Sequence, residues 1–156
     1  MKRAVYITTL FEAQVPRTLF FGTAQQGITG ALIPRVPQSR HRKGLVKPIL
    51  YATDSPAYAA GFTFEWTEQQ GLGFGKYGRT GHYILTIPYS ALSRLDAPCS
   101  IYTISGYFRR LRTSTPEYIT YQPATILSEK RYSSVDECLH ETGVFVHVTQ
   151  TSRGKR

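Results

Sequence analysis

The sequence predicts an α+β domain built on mixed or antiparallel sheets. Three observations carry that expectation. About seven short runs read as strands, against two or three short helical ones. The runs do not alternate in the regular βαβ order that a parallel sheet requires. The composition, with 11 Tyr, 8 Phe, 13 Gly and 9 Pro in 156 residues, suits strands joined by many turns. That length fits one domain able to bury a core without staples. We place it at residues 1–150, followed by a basic tail at 151–156.

Taken in order, Ala4–Thr9 (AVYITT) is β-branched and aromatic and reads as a first strand. Leu19–Gly22 (LFFG) is a second. Gln25–Leu32 is a turn or one short helix, interrupted by Gly27 and Gly30. From Pro34 to Pro48 no periodic pattern appears, and the stretch holds Arg35, Arg40, His41, Arg42, Lys43 and Lys47 with no acid, which predicts an exposed loop.

The central stretch is Ile49–Trp66. Ile49–Thr53 is a short apolar run of the kind a core strand needs, and a helix follows it. Asp54 or Ser55 is placed to cap that helix, and Pro56 sits at its first position, where a missing N–H costs nothing. Ala57, Ala59, Ala60 and Phe62 give it a small face.

The next stretch, QQGLGFGKYGRTGH, contains G-x-G-x-x-G at Gly73, Gly75 and Gly78. A dinucleotide-binding turn must follow a strand and open a helix. Here a helix precedes and a strand at Tyr83–Ile87 follows, so the motif reads as a hairpin connection or flap. Pro88–Leu95 is a short helix or turn, and Ser100–Ser105 a strand. Glu117–Tyr121 is another, with Thr125–Leu127 continuing the pairing. Ser134 and Glu137 form a capping box for a helix burying Val135, Cys138 and Leu139, and Gly143 ends it. Val144–Val148 closes the chain as a strand, with His147 half-buried in it.

Nineteen Lys and Arg against ten Asp and Glu give a formal charge of +9, which attracts polyanions or acidic surfaces. Two cysteines make no disulfide framework, so a reducing, cytoplasmic setting is expected. The N-terminus lacks an apolar stretch of signal-peptide or membrane-helix length. No metal spacing is present, since Cys138-x-His140 is not a zinc pair. The basic residues Arg40, Arg42, Lys43, Arg109, Arg110 and Arg112 form a candidate nucleic-acid or acceptor patch, with Tyr107 or Phe108 beside it for stacking. A solvated charged surface is the alternative.

Three segments occur in a telling order: LFFGTAQQGITGALIP (Leu19–Pro34), LYATDSPAYAAGF (Leu50–Phe62) and EYITYQPATIL (Glu117–Leu127). Together they resemble the ADP-ribosyltransferase superfamily, over most of the chain from Leu19 to Val148. The resemblance implies a split pair of sheets and cleavage of the nicotinamide–ribose bond of NAD, with transfer of ADP-ribose to a protein or nucleic acid acceptor. It assigns Glu117 as the catalytic carboxylate. Phe21, Gly22, Thr23, Tyr51 and Thr53 become the NAD-binding set, Tyr51 facing the nicotinamide and Gly22 letting backbone approach the dinucleotide.

One departure stands out: Phe21 occupies the place where the family's first motif usually has His, and a phenyl ring makes no hydrogen bond to a ribose. That leaves altered NAD binding, a donor from His41 or His82, or a fold kept as a basic binding module without activity. A third reading, resemblance to RNA 2′-phosphotransferases, lacks that family's four-residue phosphate-binding set.

Overall fold

The computed structural model describes residues 15–36, 47–65, 70–78, 81–111 and 114–150. The expected strand Ala4–Thr9 and the tail 151–156 lie outside them, as do His41 and the patch residues Arg40, Arg42, Lys43 and Arg112. Along the chain come β1 (Pro16–Thr23), β2 (Ala31–Leu32), β3 (Leu50–Thr53), α1 (Pro56–Ala60), β4 (Gly73–Lys76) and β5 (Tyr83–Pro88). A 310 helix (Tyr89–Asp96) follows, then β6 (Cys99–Tyr107), β7 (Arg109–Arg110), β8 (Glu117–Thr120), β9 (Ala124–Tyr132), α2 (Val135–Glu141) and β10 (Phe145–Thr149).

Among the described residues strands outnumber helices and form two sheets, a seven-stranded one ordered β2-β9-β6-β1-β3-β8-β7 and a three-stranded one ordered β10-β5-β4. Pairing is antiparallel for β1/β3, β3/β8, β8/β7, β2/β9 and β4/β5, while β10 runs parallel to β5. The α+β class is thus a mixed architecture dominated by antiparallel ladders.

Two compact units divide the chain, one within residues 1–21, 27–55 and 102–129, the other within 22–26, 56–101 and 130–156. In the first, Leu19, Leu50, Ala52, Tyr102, Ile104, Phe108, Tyr118 and Ala124 make one buried cluster, with Phe21, Ile28 and Ile126 packed against it. Alternation explains the choice: Leu19 and Phe21 in β1, and Leu50 and Ala52 in β3, are same-face pairs two residues apart. Buried polar groups here are matched. Tyr102 donates its hydroxyl to Glu129 and accepts from the Ile28 N–H, while Glu129 also accepts from Gly27 N–H. These bonds hold the turn before β2, which is extended and not the short helix that was the other expectation.

In the second unit, Leu85 and Ile87 of β5 are fully buried. Tyr58, Phe62, Phe74 and Tyr83 form an aromatic cluster with ring centroids 5.0–6.4 Å apart. The helix α1 stops at Ala60, short of the expected Phe62. The N–H groups of Gly61, Phe62 and Thr63 bond to carbonyls three residues back, and the Thr63 hydroxyl takes the Ala60 carbonyl at 2.7 Å. That tightening ends the helix. Only part of the glycine-rich stretch is a connection: Gly73–Lys76 is a strand zipped antiparallel onto β5, and the residues after it link the two, with Tyr77 N–H bonded to His82 O at 3.0 Å. His147 is exposed, not half-buried.

The second helix follows its sequence signals closely. Ser134 accepts from the Glu137 N–H at 3.0 Å, and Val135, Cys138 and Leu139 are all fully buried. Glu137 turns its carboxylate to the Ser133 hydroxyl. At the other end, Val144 N–H bonds to Leu139 O and Gly143 N–H to His140 O, with Gly143 at φ 83°. This paired arrangement needs a left-handed residue, hence glycine. Replacing the cap, Ser134→Ala, is expected to cost about 1 kcal/mol of stability in chemical denaturation. An unchanged midpoint would show that the cap contributes nothing.

Candidate functional site

Register fixes which side chains can meet. Thr53 lies opposite Phe20 on β1 and opposite Glu117 on β8, and Tyr51 lies opposite Ile119. Directly opposed residues in an antiparallel pair share a face, as do residues two apart. Tyr51, Thr53, Glu117 and Ile119 therefore share one face of the seven-stranded sheet. Glu117 is beside Thr53 and diagonal to Tyr51, a spacing of about 7–8 Å between such positions. Arg109, opposite Ile119, joins the same face.

The sheet does not bring Phe21 to this group. One residue beyond Phe20, it points to the other face and packs on the buried cluster with Leu19 and Ala52. Arg110, opposite Tyr118, is on that other face too, so the two consecutive arginines of β7 diverge. Phe21→His is accordingly expected to lower the melting temperature, since it places a polar ring against an apolar core, without raising NAD affinity. Calorimetry on the folded variant tests this, and tighter NAD binding would overturn it.

Each remaining side chain has a definite local role. Glu117 is half-buried, and its carboxylate accepts from the Thr115 hydroxyl at 2.9 Å. Tyr51 is 37% exposed, so its ring is open to a ligand. Thr53 is buried and its hydroxyl accepts from Ser55 N–H at 3.1 Å. Asp54, a proposed cap, accepts from the Tyr118 hydroxyl at 3.2 Å. In the second unit, Thr23 accepts from Gln25 N–H at 3.1 Å. An added Cβ at Gly22 would lie 2.0 Å from the Ala59 carbonyl oxygen. The space that glycine frees there is filled by helix α1, not left for a dinucleotide.

Thr115 is a residue the sequence reading misses; its mark in the sequence is a hydroxyl two residues before the glutamate, across a proline. His82, the alternative ribose donor, belongs to the second unit, where its ring meets Phe145 edge-on at 5.2 Å. Cys99 and Cys138 are buried free thiols there. The Cys138 hydrogen bond and, less strongly, that of Thr63 hold Cys99 below the usual thiol range against the opposing effect of burial. The same bond with Cys99, followed by burial, pushes Cys138 up. With no exposure, the pair lacks the access a nucleophilic cysteine needs.

Chemically, the face of Tyr51 and Glu117 offers an accessible aromatic surface and an oriented carboxylate within reach of one small ligand. Comparison with protein-family models, curated proteins and solved structures finds no match to this chain. Among the described residues no helix is long and apolar enough to cross a membrane.

Proposed function

We propose that this chain has an ADP-ribosyltransferase-like fold and uses the Tyr51–Glu117 face to cleave the nicotinamide–ribose bond of NAD, passing ADP-ribose to a nucleophilic acceptor. The observation that carries this reading is the placement of Glu117 and Tyr51 on one face of adjacent strands, 66 residues apart in sequence. Breaking the glycosidic bond sends the electron pair to nicotinamide and leaves positive charge on the ribose, as in glycoside hydrolysis. A fixed carboxylate stabilises that charge. The acceptor then adds its lone pair to the anomeric carbon and loses a proton to solvent. Tyr51 would stack on nicotinamide, while Thr115 holds the carboxylate in place. NAD as the substrate fits a cytoplasmic setting.

The fit is uneven. The nicotinamide–ribose end of NAD finds suitable partners in Tyr51 and Glu117. The first-motif end does not, because Phe21 serves the core and Gly22 is closed by Ala59. That observation favours a second reading, a basic binding module on the same fold without transfer. Release of nicotinamide from NAD by the purified chain, followed by liquid chromatography, separates the two. Turnover above the uncatalysed rate supports transfer. Its absence, together with no NAD binding by calorimetry, leaves the binding module.

A further inference from the structure

The seven-stranded sheet ends at β7, and cations gather along that edge. Arg110 stands opposite Tyr118, with its guanidinium 5.7 Å from the ring centroid. Arg17 approaches the same ring at 5.0 Å and is steadied by donating its Nε–H to the Phe108 carbonyl. Arg109 emerges on the opposite face, so the edge is positive on both sides. Further along β8, the residue after Thr120 is Tyr121, which is 50% exposed and carries the Lys47 ammonium 5.9 Å from its ring. Arg35 pairs with Ile49, one residue before Leu50, the partner of Thr120. Arg35 is thereby brought to the same corner.

The described acids of this unit have hydrogen-bond partners away from the guanidiniums. Among the described residues, Asp54 accepts from Tyr118, Glu117 from Thr115, and Glu129 from Tyr102 and Gly27. No ion pair involving Arg17, Arg35, Lys47, Arg109 or Arg110 is formed among them. Spaced guanidiniums match phosphate oxygens, and an exposed aromatic ring beside them offers a stacking surface to any base. An acidic peptide would meet the charges but has no use for the ring.

We propose that the β8–β7 edge binds single-stranded nucleic acid, with phosphates on Arg109, Arg110 and Arg17 and a base stacked on Tyr121. Under the transfer reading this names the acceptor class and rests on that reading; the binding itself requires no NAD. A duplex is disfavoured because its bases are already stacked and closed to Tyr121.

Fluorescence anisotropy with a labelled single strand of about 12 nucleotides, a length such grooves span, tests it. Binding is expected to weaken with salt. Arg109→Gln with Arg110→Gln should flatten the log–log slope by about 1.4, from roughly 0.7 per lost phosphate contact on single strands. Tyr121→Ala should weaken binding roughly tenfold, and Tyr121→Phe should retain it, because the ring and not the hydroxyl does the stacking. No binding at low salt overturns the proposal. So does equal competition by polyglutamate, which would mark an acidic protein partner, or a Tyr121→Ala variant that binds as the parent does. Should the double arginine variant fail to fold, the Tyr121 pair still decides. Strand binding is measured without NAD and nicotinamide release without the strand, so loss of the one and loss of the other are read independently.

Discussion

Glu117→Gln is expected to reduce nicotinamide release from NAD by about 10²–10³-fold while leaving the melting temperature nearly unchanged. The magnitude is that of removing one preorganised electrostatic group aimed at charge developing in a transition state. Glutamine keeps the shape and still accepts from the Thr115 hydroxyl, which now meets the carboxylate at 2.9 Å. Only the negative charge is lost. The backbone N–H and C=O of residue 117 are also untouched, so their bonds to Thr115 O and Leu111 N–H persist. A fall in kcat with KM little altered would mark a group that acts mainly in the transition state. Equal rates for parent and variant would remove Glu117 from the chemistry. Thr115→Val supplies the intermediate case, since it removes this hydrogen bond without neutralising the carboxylate.

Much of the fold was legible because local signals and tertiary packing agreed. Ser134, the buried Val135/Cys138/Leu139 face and Gly143 each encode one end or side of a helix by a short-range mechanism, and the structure uses all three. The strand at Leu50–Thr53 was legible for the same reason. What the sequence hid were features set by partners distant in the chain. The strand Gly73–Lys76 reads as a loop because two of its four residues are glycine, yet pairing with β5 overrides that preference. Arg109–Arg110 is too short to show a period.

Register is the deeper limit, because a slip of one residue exchanges the two faces of a strand. The segment LFFGT leaves open whether Phe20 or Phe21 shares a face with Glu117. Only the pairing of Phe20 with Thr53 settles it. The same holds for Tyr51 and Glu117: a slip of one residue between β3 and β8 would part them, and the pairing of Tyr51 with Ile119 and of Thr53 with Glu117 puts them on one face.

Gly22 offers the second large effect, and it separates two explanations for one residue. If Gly22 is small to let a dinucleotide approach, Gly22→Ala should weaken NAD binding and spare the fold. The structure points the other way. A Cβ there would sit 2.0 Å from the Ala59 carbonyl oxygen and 2.8 Å from its carbon, with the Thr63 methyl at 3.1 Å. Those first two contacts are backbone, so relief requires moving helix α1 and not merely turning a side chain. Overpacking of this kind costs about 1–3 kcal/mol, a large share of the roughly 5–15 kcal/mol by which domains are stable. The melting temperature should fall by about 3–10 °C for a chain of this size. Gly73→Ala is the matched control, since nothing lies within 4 Å of its added Cβ, and it should leave the transition almost where it is. Thermal unfolding followed by circular dichroism reads both variants. A Gly22→Ala protein that melts with the parent would show that helix α1 yields easily, and would return Gly22 to the ligand.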